Sequence, residues 1–299
     1  MHLTPCVGSR TVAERSGAAG FFLKCESLQK TGSFKVRGAL NAVSLLDESA
    51  RRRGVVTFSA GNHAQALAWA AASLGVHCTV VMPATASESK AAASAGYGAK
   101  VIRHGNGAEA FAKADELGRE HGYTFIHPFD QPAVMAGAAT VGMELLEQVP
   151  DVELLVVPIG GGGLLAGVAA AVRQMRPSVA LIGVEPEGAA SMRMSLDAGH
   201  PVRLDSVRTI ADGLAAPFAG EFTYPIIRDL VDDVVLVTDA EIATAMTVIL
   251  ERMKLLPEAA GATATAALLA HKVPHATGKR VVAILSGGNI DLNRLKDFI

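Results

Sequence analysis

Cysteine is scarce in this 299-residue chain, and its three copies, Cys6, Cys25 and Cys78, lie far apart with no CxxC pair. That spacing excludes a disulfide framework and a cysteine zinc site, and it fits a reducing compartment. Charge is thin as well, at 19% of residues with a formal net charge of -2. The basic residues form no stripe. Their one cluster, Arg51-Arg52-Arg53, stands before Gly54, where it complements a helix C-terminus and its glycine stop. A nucleic-acid surface is therefore excluded. No apolar run approaches membrane-spanning length, and Met1–Pro5 lacks a basic region followed by an apolar core. The expectation is a cytoplasmic protein with no membrane partner.

The chain does have length enough for two lobes or one large α/β domain. From Val55 onward, short β-branched runs alternate with alanine-rich helical stretches, the pattern of a parallel sheet covered on both faces. The spacing predicts strands over Val55–Ser59, Cys78–Met82, Lys100–His104, Thr124–His127, Leu154–Ile159, Ala180–Val184, Val234–Val237 and Arg280–Leu285. Helices are expected over His63–Leu74, Ser87–Ala95, Ala108–His121, Ala133–Gln148 and Leu164–Met175. Glu187–Tyr224 breaks this rhythm with Gly- and Pro-punctuated pieces and reads as loop and short helix over a cleft. In a doubly wound α/β fold, ligands bind beyond the carboxyl ends of strands, so chemistry is sought at strand-to-helix turns.

One lysine and three turns carry that search. In Lys30-Thr31-Gly32-Ser33-Phe34-Lys35-Val36-Arg37-Gly38, Lys35 lies between Phe34 and Val36 at the start of a helix. Partial burial there lowers an ammonium pKa and frees the amine for Schiff-base chemistry; the plainer alternative is a snorkelling lysine. The turn Ser59-Ala60-Gly61-Asn62-His63-Ala64-Gln65 follows a strand, with Asn62 expected as the helix N-cap, and its backbone N–H groups suit a carboxylate. Gly160-Gly161-Gly162-Gly163 lies between a buried strand and an apolar helix, where bare backbone and a helix N-terminus suit a phosphate. The same turn satisfies the dinucleotide pattern Gly161-x-Gly163-x-x-Ala166, with Glu185 as the ribose acid, so an NAD(P)-dependent oxidoreductase is a rival reading. Ser286 ends the last strand, with Gly287 and Gly288 letting a planar ring lie against the backbone; a lone Ser-Gly-Gly is otherwise a simple cap and turn.

An activated lysine, a phosphate cup, an anion turn and a hydroxyl for a ring nitrogen match the groups of pyridoxal 5'-phosphate. Lys30–Gly38, Ser59–Gln65, His127–Pro132, Gly160–Gly163, Thr209–Gly213, Pro225–Asp233 and Ser286–Asn289 together resemble the threonine/serine dehydratase and serine racemase family. This is the fold-type II, tryptophan-synthase-β-like group of pyridoxal phosphate enzymes. The resemblance is collinear from about Leu3 to Asp291. It implies a two-domain α/β fold of mostly parallel sheets flanked by helices, with the cofactor between the domains. The bounds expected are 1–53 plus 132–299 for the large domain and 54–131 for a small mobile one.

By the same resemblance, Lys35 tethers the cofactor and is the catalytic base, Phe34 packs beside its ring, and Asn62 bonds its phenolic oxygen. Gly160, Gly161, Gly162, Gly163 and Leu164 hold its phosphate, and Ser286 faces the pyridine nitrogen. Ser59, Ala60, Gly61, Asn62 and His63 cradle the substrate carboxylate. A divalent cation such as Mg2+ is implied at Glu185, Ala189 and Ser191, although a serine at the third position is a poor ligand for a hard cation. Racemases of the family resemble a Ser-Ser-Gly-Asn-His run where this chain has Ala60, and alanine exchanges no proton. The expected activity is therefore dehydration of L-threonine or L-serine to a 2-oxo acid and ammonia. Serine racemase and a hydroxyaspartate- or phenylserine-type dehydratase are the alternatives, and a homodimer is expected.

Overall fold

Ten strands, the central ones buried aliphatic runs, lie among the residues described by the computed structural model, which are 1–86, 88–296 and 298. In chain order these are β1 (Cys6–Gly8), β2 (Gly20–Cys25), β3 (Val55–Phe58), β4 (Cys78–Met82), β5 (Lys100–Arg103), β6 (Thr124–Phe125), β7 (Leu154–Pro158), β8 (Ala180–Pro186), β9 (Asp233–Val237) and β10 (Arg280–Leu285). Two compact units divide the chain: Met1–Phe34 with Ala138–Ile299, and Lys35–Gly137.

The first unit holds a six-stranded sheet in the order β1-β2-β10-β7-β8-β9, parallel except for the antiparallel β1–β2 pair. Every residue of β7 is buried, as expected of a strand covered on both faces. Beside the sheet lies the helix Ala259–Leu269, alanine-rich and buried from Ala259 to Leu268. A helix apolar all round belongs in a core, and small side chains let it come close. A Cβ on Gly261 would overlap the carbonyl oxygen of Gly287. Since β10 pairs with β7 through Ala283 and Val156, the turns after these two strands emerge side by side at one end of the sheet. That register places Ser286 and Gly160 on neighbouring strands.

The second unit holds a four-stranded parallel sheet, β5-β4-β3-β6. It reaches beyond residues 54–131 on both sides. Val36, Ala39, Ala42 and Val43 of the helix Lys35–Ser44 share one buried cluster with Ala64, Leu67 and Ala71 of the helix Asn62–Ser73. Gly38 lies so near the Pro132–Gln148 helix that a Cβ on it would stand 2.7 Å from the carbonyl oxygen of Val134.

Several boundaries differ from expectation for visible reasons. β6 stops at Phe125, because the His127 ring accepts from the N–H groups of Phe129 and Asp130 and turns the chain. β8 runs two residues past Val184, since Glu185 and Pro186 still pair with Leu236 and Val237 of β9. The expected helix start at Ser87 lies outside the described residues, and the helix is described over Glu88–Gly96. Gly54, at φ +110, ends the Glu48–Arg53 helix after the arginine triplet. Glu187–Tyr224 is short-pieced as expected, with 3-10 turns at Glu187–Ala189 and Asp212–Leu214, the helix Ser191–Ala198, and the start of the helix Thr223–Leu230.

The pair β1 and β2 had no place in the pattern begun at Val55. β2 carries Lys24, a charge that hides a core strand. Lys24 is fully buried and donates to the carbonyl oxygen of Thr4 at 2.7 Å, to Glu144 at 2.7 Å and to Gln148 at 3.0 Å. An ammonium survives in a core only when its donors are matched in this way.

Candidate active site

Lys35 opens its helix half-buried, and its Nζ donates to the carbonyl oxygen of Pro128 at 2.8 Å. Two imidazoles of the same unit feel its charge. Burial, reinforced by Lys35, lowers the pKa of His63 to about 3 against the opposing effect of its bond to Ile126. Burial likewise lowers His127 to about 4, with Asp130 opposing and Lys35 assisting. Both rings are neutral at pH 7, and their partners fix the tautomers. His63 Nε2 lies 3.1 Å from the Ile126 carbonyl oxygen and must carry the proton, leaving Nδ1 a buried acceptor with no partner among the described residues. His127 Nδ1 accepts from Asp130 N–H at 2.8 Å and Phe129 N–H at 3.3 Å, so its proton is on Nε2.

The turn after β3 corrects one expectation. Gly61, not Asn62, occupies the cap position, and Asn62 is the first helical residue. The Ser59 hydroxyl accepts from the Gly61 N–H at 3.2 Å, a local side-chain-to-backbone bond that makes Gly61 the last residue outside the helix. A Cβ on Gly61 would meet nothing within 4 Å. The turn thus presents open space at the N-terminus of a 12-residue helix, where the backbone dipole favours an anion. Ser59, Ala60, Gly61 and Asn62 are half-buried, and His63 is buried.

In the first unit, β7 ends in the glycine turn. Gly162 has φ +95, a left-handed backbone that other residues adopt only with strain, and a Cβ there would stand 2.8 Å from the Cβ of Thr223. A Cβ on Gly160 would lie 3.1 Å from the Cα of Leu214. Behind the turn, the Thr223 hydroxyl donates to the Gly161 carbonyl oxygen at 2.7 Å. The helix Gly163–Met175, with Leu164 buried in its first turn, begins without a side-chain cap. Bare backbone at a helix N-terminus, walled by Thr223 and Leu214, fits a phosphate group. Ser286 is buried on the neighbouring strand end, its hydroxyl only 3.5 Å from the Ala260 carbonyl oxygen, a long bond that leaves it able to serve another partner. Phe34 N–H donates to the Ser286 carbonyl oxygen at 3.0 Å, so Phe34 and Ser286 are brought together.

Other participants left no usable mark in the sequence. The Pro128 carbonyl is backbone, and Thr223 is one threonine among many. Asp212-Gly213-Leu214, a motif without a task until now, is the turn whose Leu214 backbone walls Gly160. Gly288 has a use beyond an open ring face: a Cβ on it would stand 2.6 Å from the Leu256 carbonyl oxygen.

Glu185 is buried, and its two carboxylate oxygens accept from the N–H groups of Met192 and Arg193, each at 2.8 Å. Burial raises its pKa to about 8 in spite of those bonds. A buried acid so used caps the helix Ser191–Ala198, and with each oxygen already on a backbone N–H it fits the ribose acid of the dinucleotide reading poorly. It also suits a cation poorly. Ala189 and Ser191 are buried near it in sequence, and no three His, Cys, Asp or Glu residues converge on a metal position among the described residues.

The family described as pyridoxal-phosphate dependent enzyme matches residues 2–287. The chain belongs to that family. Among its relatives, an L-threonine ammonia-lyase of Geobacter sulfurreducens is 49% identical over 98% of this chain and 72% of its own length. Threonine deaminase isoform 2 of Solanum lycopersicum superposes with a TM-score of 0.94 at 38% identity, covering 99% of this chain and 82% of that one. Maize serine racemase does so with a TM-score of 0.95 at 39% identity, covering 99% and 91%. Family membership makes pyridoxal phosphate the cofactor and accounts for the mixed α/β fold with parallel sheets. Among the described residues, no helix is long and apolar enough to cross a membrane.

Proposed function

We propose that the chain is an ammonia-lyase acting on L-threonine and L-serine, which it converts to 2-oxobutanoate or pyruvate plus ammonium by α,β-elimination. The observation that carries this reading is the bond from Lys35 Nζ to the Pro128 carbonyl oxygen at 2.8 Å. It seats the amine on a neutral acceptor with two neutral imidazoles nearby, where the amine can be covalently engaged and later released as a base. The relatives named for threonine ammonia-lyase and threonine deaminase activity support the substrate class.

Pyridoxal phosphate, when bound, supplies an electron sink for the bond broken at the substrate Cα. This chain's residues do the rest. Lys35 would tether the cofactor and, as a free amine, would take the proton from the substrate Cα. Gly160 to Leu164 receive the phosphate on backbone N–H groups, with Thr223 fixing the Gly161 carbonyl behind them. Asn62 would bond the phenolic oxygen, and Phe34 would pack beside the ring. Ser286 would face the pyridine nitrogen with a neutral hydroxyl, which would not hold a proton there as an aspartate does and so would favour elimination over transamination. Ser59 to His63 receive the substrate carboxylate. Ala60 offers no proton, so Lys35 would be the group that exchanges one at Cα.

Glu185, as a helix cap, gives no support to a cation, and no step needs one. A homodimer and a cytoplasmic location belong to this proposal, tested by sedimentation and by fractionation. Likeness to maize serine racemase makes racemisation the second reading. Purified protein loaded with pyridoxal phosphate is given L-threonine, L-serine or threo-3-hydroxyaspartate, and 2-oxo acid and D-serine are measured separately. The expected result is 2-oxo acid from threonine and serine with little D-serine; abundant D-serine with little pyruvate contradicts it.

A further inference from the structure

Ser286-Gly287-Gly288-Asn289 ends in a residue to which the proposed chemistry gives no task. Asn289 is half-buried in the first unit, and its Nδ2 donates to the carbonyl oxygen of Thr31 at 2.7 Å, across 258 residues of sequence. Thr31 is itself unusual. It is buried at φ +60 and ψ 13, a left-handed conformation that a β-branched residue adopts only when its surroundings enforce it. Its hydroxyl has no partner among the described residues, so the strain is not relieved through the side chain.

Asn289 is one of four ties between the same two segments. Gly288 N–H donates to the Gly32 carbonyl oxygen at 3.0 Å, Ser33 forms an antiparallel bridge with Gly287, and Phe34 N–H donates to the Ser286 carbonyl oxygen at 3.0 Å. The ladder advances one residue at a time from Asn289 opposite Thr31 to Ser286 opposite Phe34. Lys35 is the next residue along. Gly32, at φ +72, lies so close that a Cβ on it would overlap Asn289 Oδ1, so the asparagine fills the space that the glycine leaves. An Ile290 N–H bond to the Gly288 carbonyl oxygen at 2.9 Å tightens the turn that delivers the side chain.

We propose that Asn289 is a positioning residue for the reaction: its amide pins the strained Thr31 and so sets the backbone that leads into Lys35 from the same strand end that presents Ser286. Resting on the reading of Lys35 as tether and base, this gives one hydrogen-bonded frame control over the reacting amine and the ring-facing hydroxyl. The frame acts through a donor. Aspartate has the same shape and no N–H to give, so it cannot replace asparagine.

The test compares wild type, Asn289→Ala and Asn289→Asp, each loaded with pyridoxal phosphate. The readouts are circular dichroism, the borohydride-reducible visible band titrated with cofactor, and kcat and KM for L-threonine. Both variants are expected to keep the wild-type dichroism, to bind cofactor at least about tenfold more weakly, and to lose roughly 10- to 100-fold in kcat, the scale of a reacting group displaced by about 1 Å. KM for L-threonine is expected to change less than kcat. The inference is overturned if Asn289→Asp matches wild type, if the variants lose only thermal stability, or if both fail to fold, which would make the ladder a folding element alone. A wild-type protein with no reducible band would instead overturn the reading of Lys35, and the two failures are thereby told apart.

Discussion

At the residue scale, the environment of Lys35 is set as much by what its neighbours do not carry as by what they do. His63 and His127 are held neutral by burial and by the lysine's own charge, so neither adds a second positive charge beside the amine. This has a pH consequence whose sign is fixed. In the unfolded chain each ring protonates near the ordinary value of 6.5, whereas folded His127 and His63 resist until about 4 and about 3. Between those values the unfolded state binds more protons. The stability these rings contribute is therefore complete above pH 6.5 and falls as pH drops, by up to about 1.4 kcal/mol per pH unit for each proton. Urea unfolding at a series of pH values from 6.5 to 4 is expected to show that decline, offset in part by Glu185, whose raised pKa makes the folded chain hold the extra proton until pH falls to about 4.5, and His127→Gln is expected to make it shallower. An unchanged slope would contradict the neutral assignment. Ala60 supports a second expectation at this scale. Ala60→Ser supplies the hydroxyl that the resembling racemases carry at this place in the motif, and D-serine formation should rise at least tenfold, a fraction of the ~10²–10⁴ that a positioned acid or base contributes. Chiral chromatography of the products from L-serine checks this.

At the element scale, the turns do their work because adjoining elements leave them no alternative. The glycine turn is shaped by a positive φ at Gly162 and by walls at Thr223 and Leu214. Gly162→Ala places a Cβ against Thr223 in a backbone region unfavourable by about 1–2 kcal/mol. It is expected to lower stability by at least that amount and to weaken cofactor binding together with it, measured by thermal unfolding and by cofactor titration. Thr223→Val, nearly the same size, leaves the buried Gly161 carbonyl oxygen without its donor, for a loss of roughly 1–3 kcal/mol. The Ser191–Ala198 helix shows the same logic at Glu185, where a buried acid is used as a cap. β2 is held by Lys24 and its three oxygen partners, and Lys24→Ala should be among the most damaging changes outside the site, lowering unfolding free energy by about 3–5 kcal/mol in chemical denaturation.

At the scale of the whole molecule, what could be read from the sequence was the repeating signal. Eight strands from β3 onward were visible because parallel strands buried on both faces become aliphatic runs, and the turns beyond them were visible because small residues cluster there. The α/β class, the family and the pyridoxal phosphate cofactor followed. What could not be read were contacts between segments distant in the chain. β1 and β2 lie outside the alternating pattern, and β2 contains a lysine that only Thr4, Glu144 and Gln148 make tolerable in a core. Asn62 reads as a cap from its residue type, whereas the Gly61 N–H bond to the Ser59 hydroxyl leaves Gly61 in that position. Glu185 reads as a ribose acid or a cation ligand from its place at a strand end, and only the fold shows its oxygens on the Met192 and Arg193 N–H groups. The Lys35–Ser44 helix belongs with the Asn62–Ser73 helix through apolar packing that no local motif announces. Pro128, Leu214 and Thr223 act through backbone contacts or as ordinary residues, and only the folded chain assigns them.

Lys35 carries the central claim, and one measurement tests it most directly. Wild type and Lys35→Ala are loaded with pyridoxal phosphate, scanned in the visible before and after borohydride, and assayed for 2-oxobutanoate from L-threonine. The account predicts a borohydride-sensitive band and turnover in wild type, and loss of both in a variant that retains the wild-type fold. A folded Lys35→Ala protein that keeps the band, or still forms 2-oxobutanoate at a wild-type rate, would contradict it.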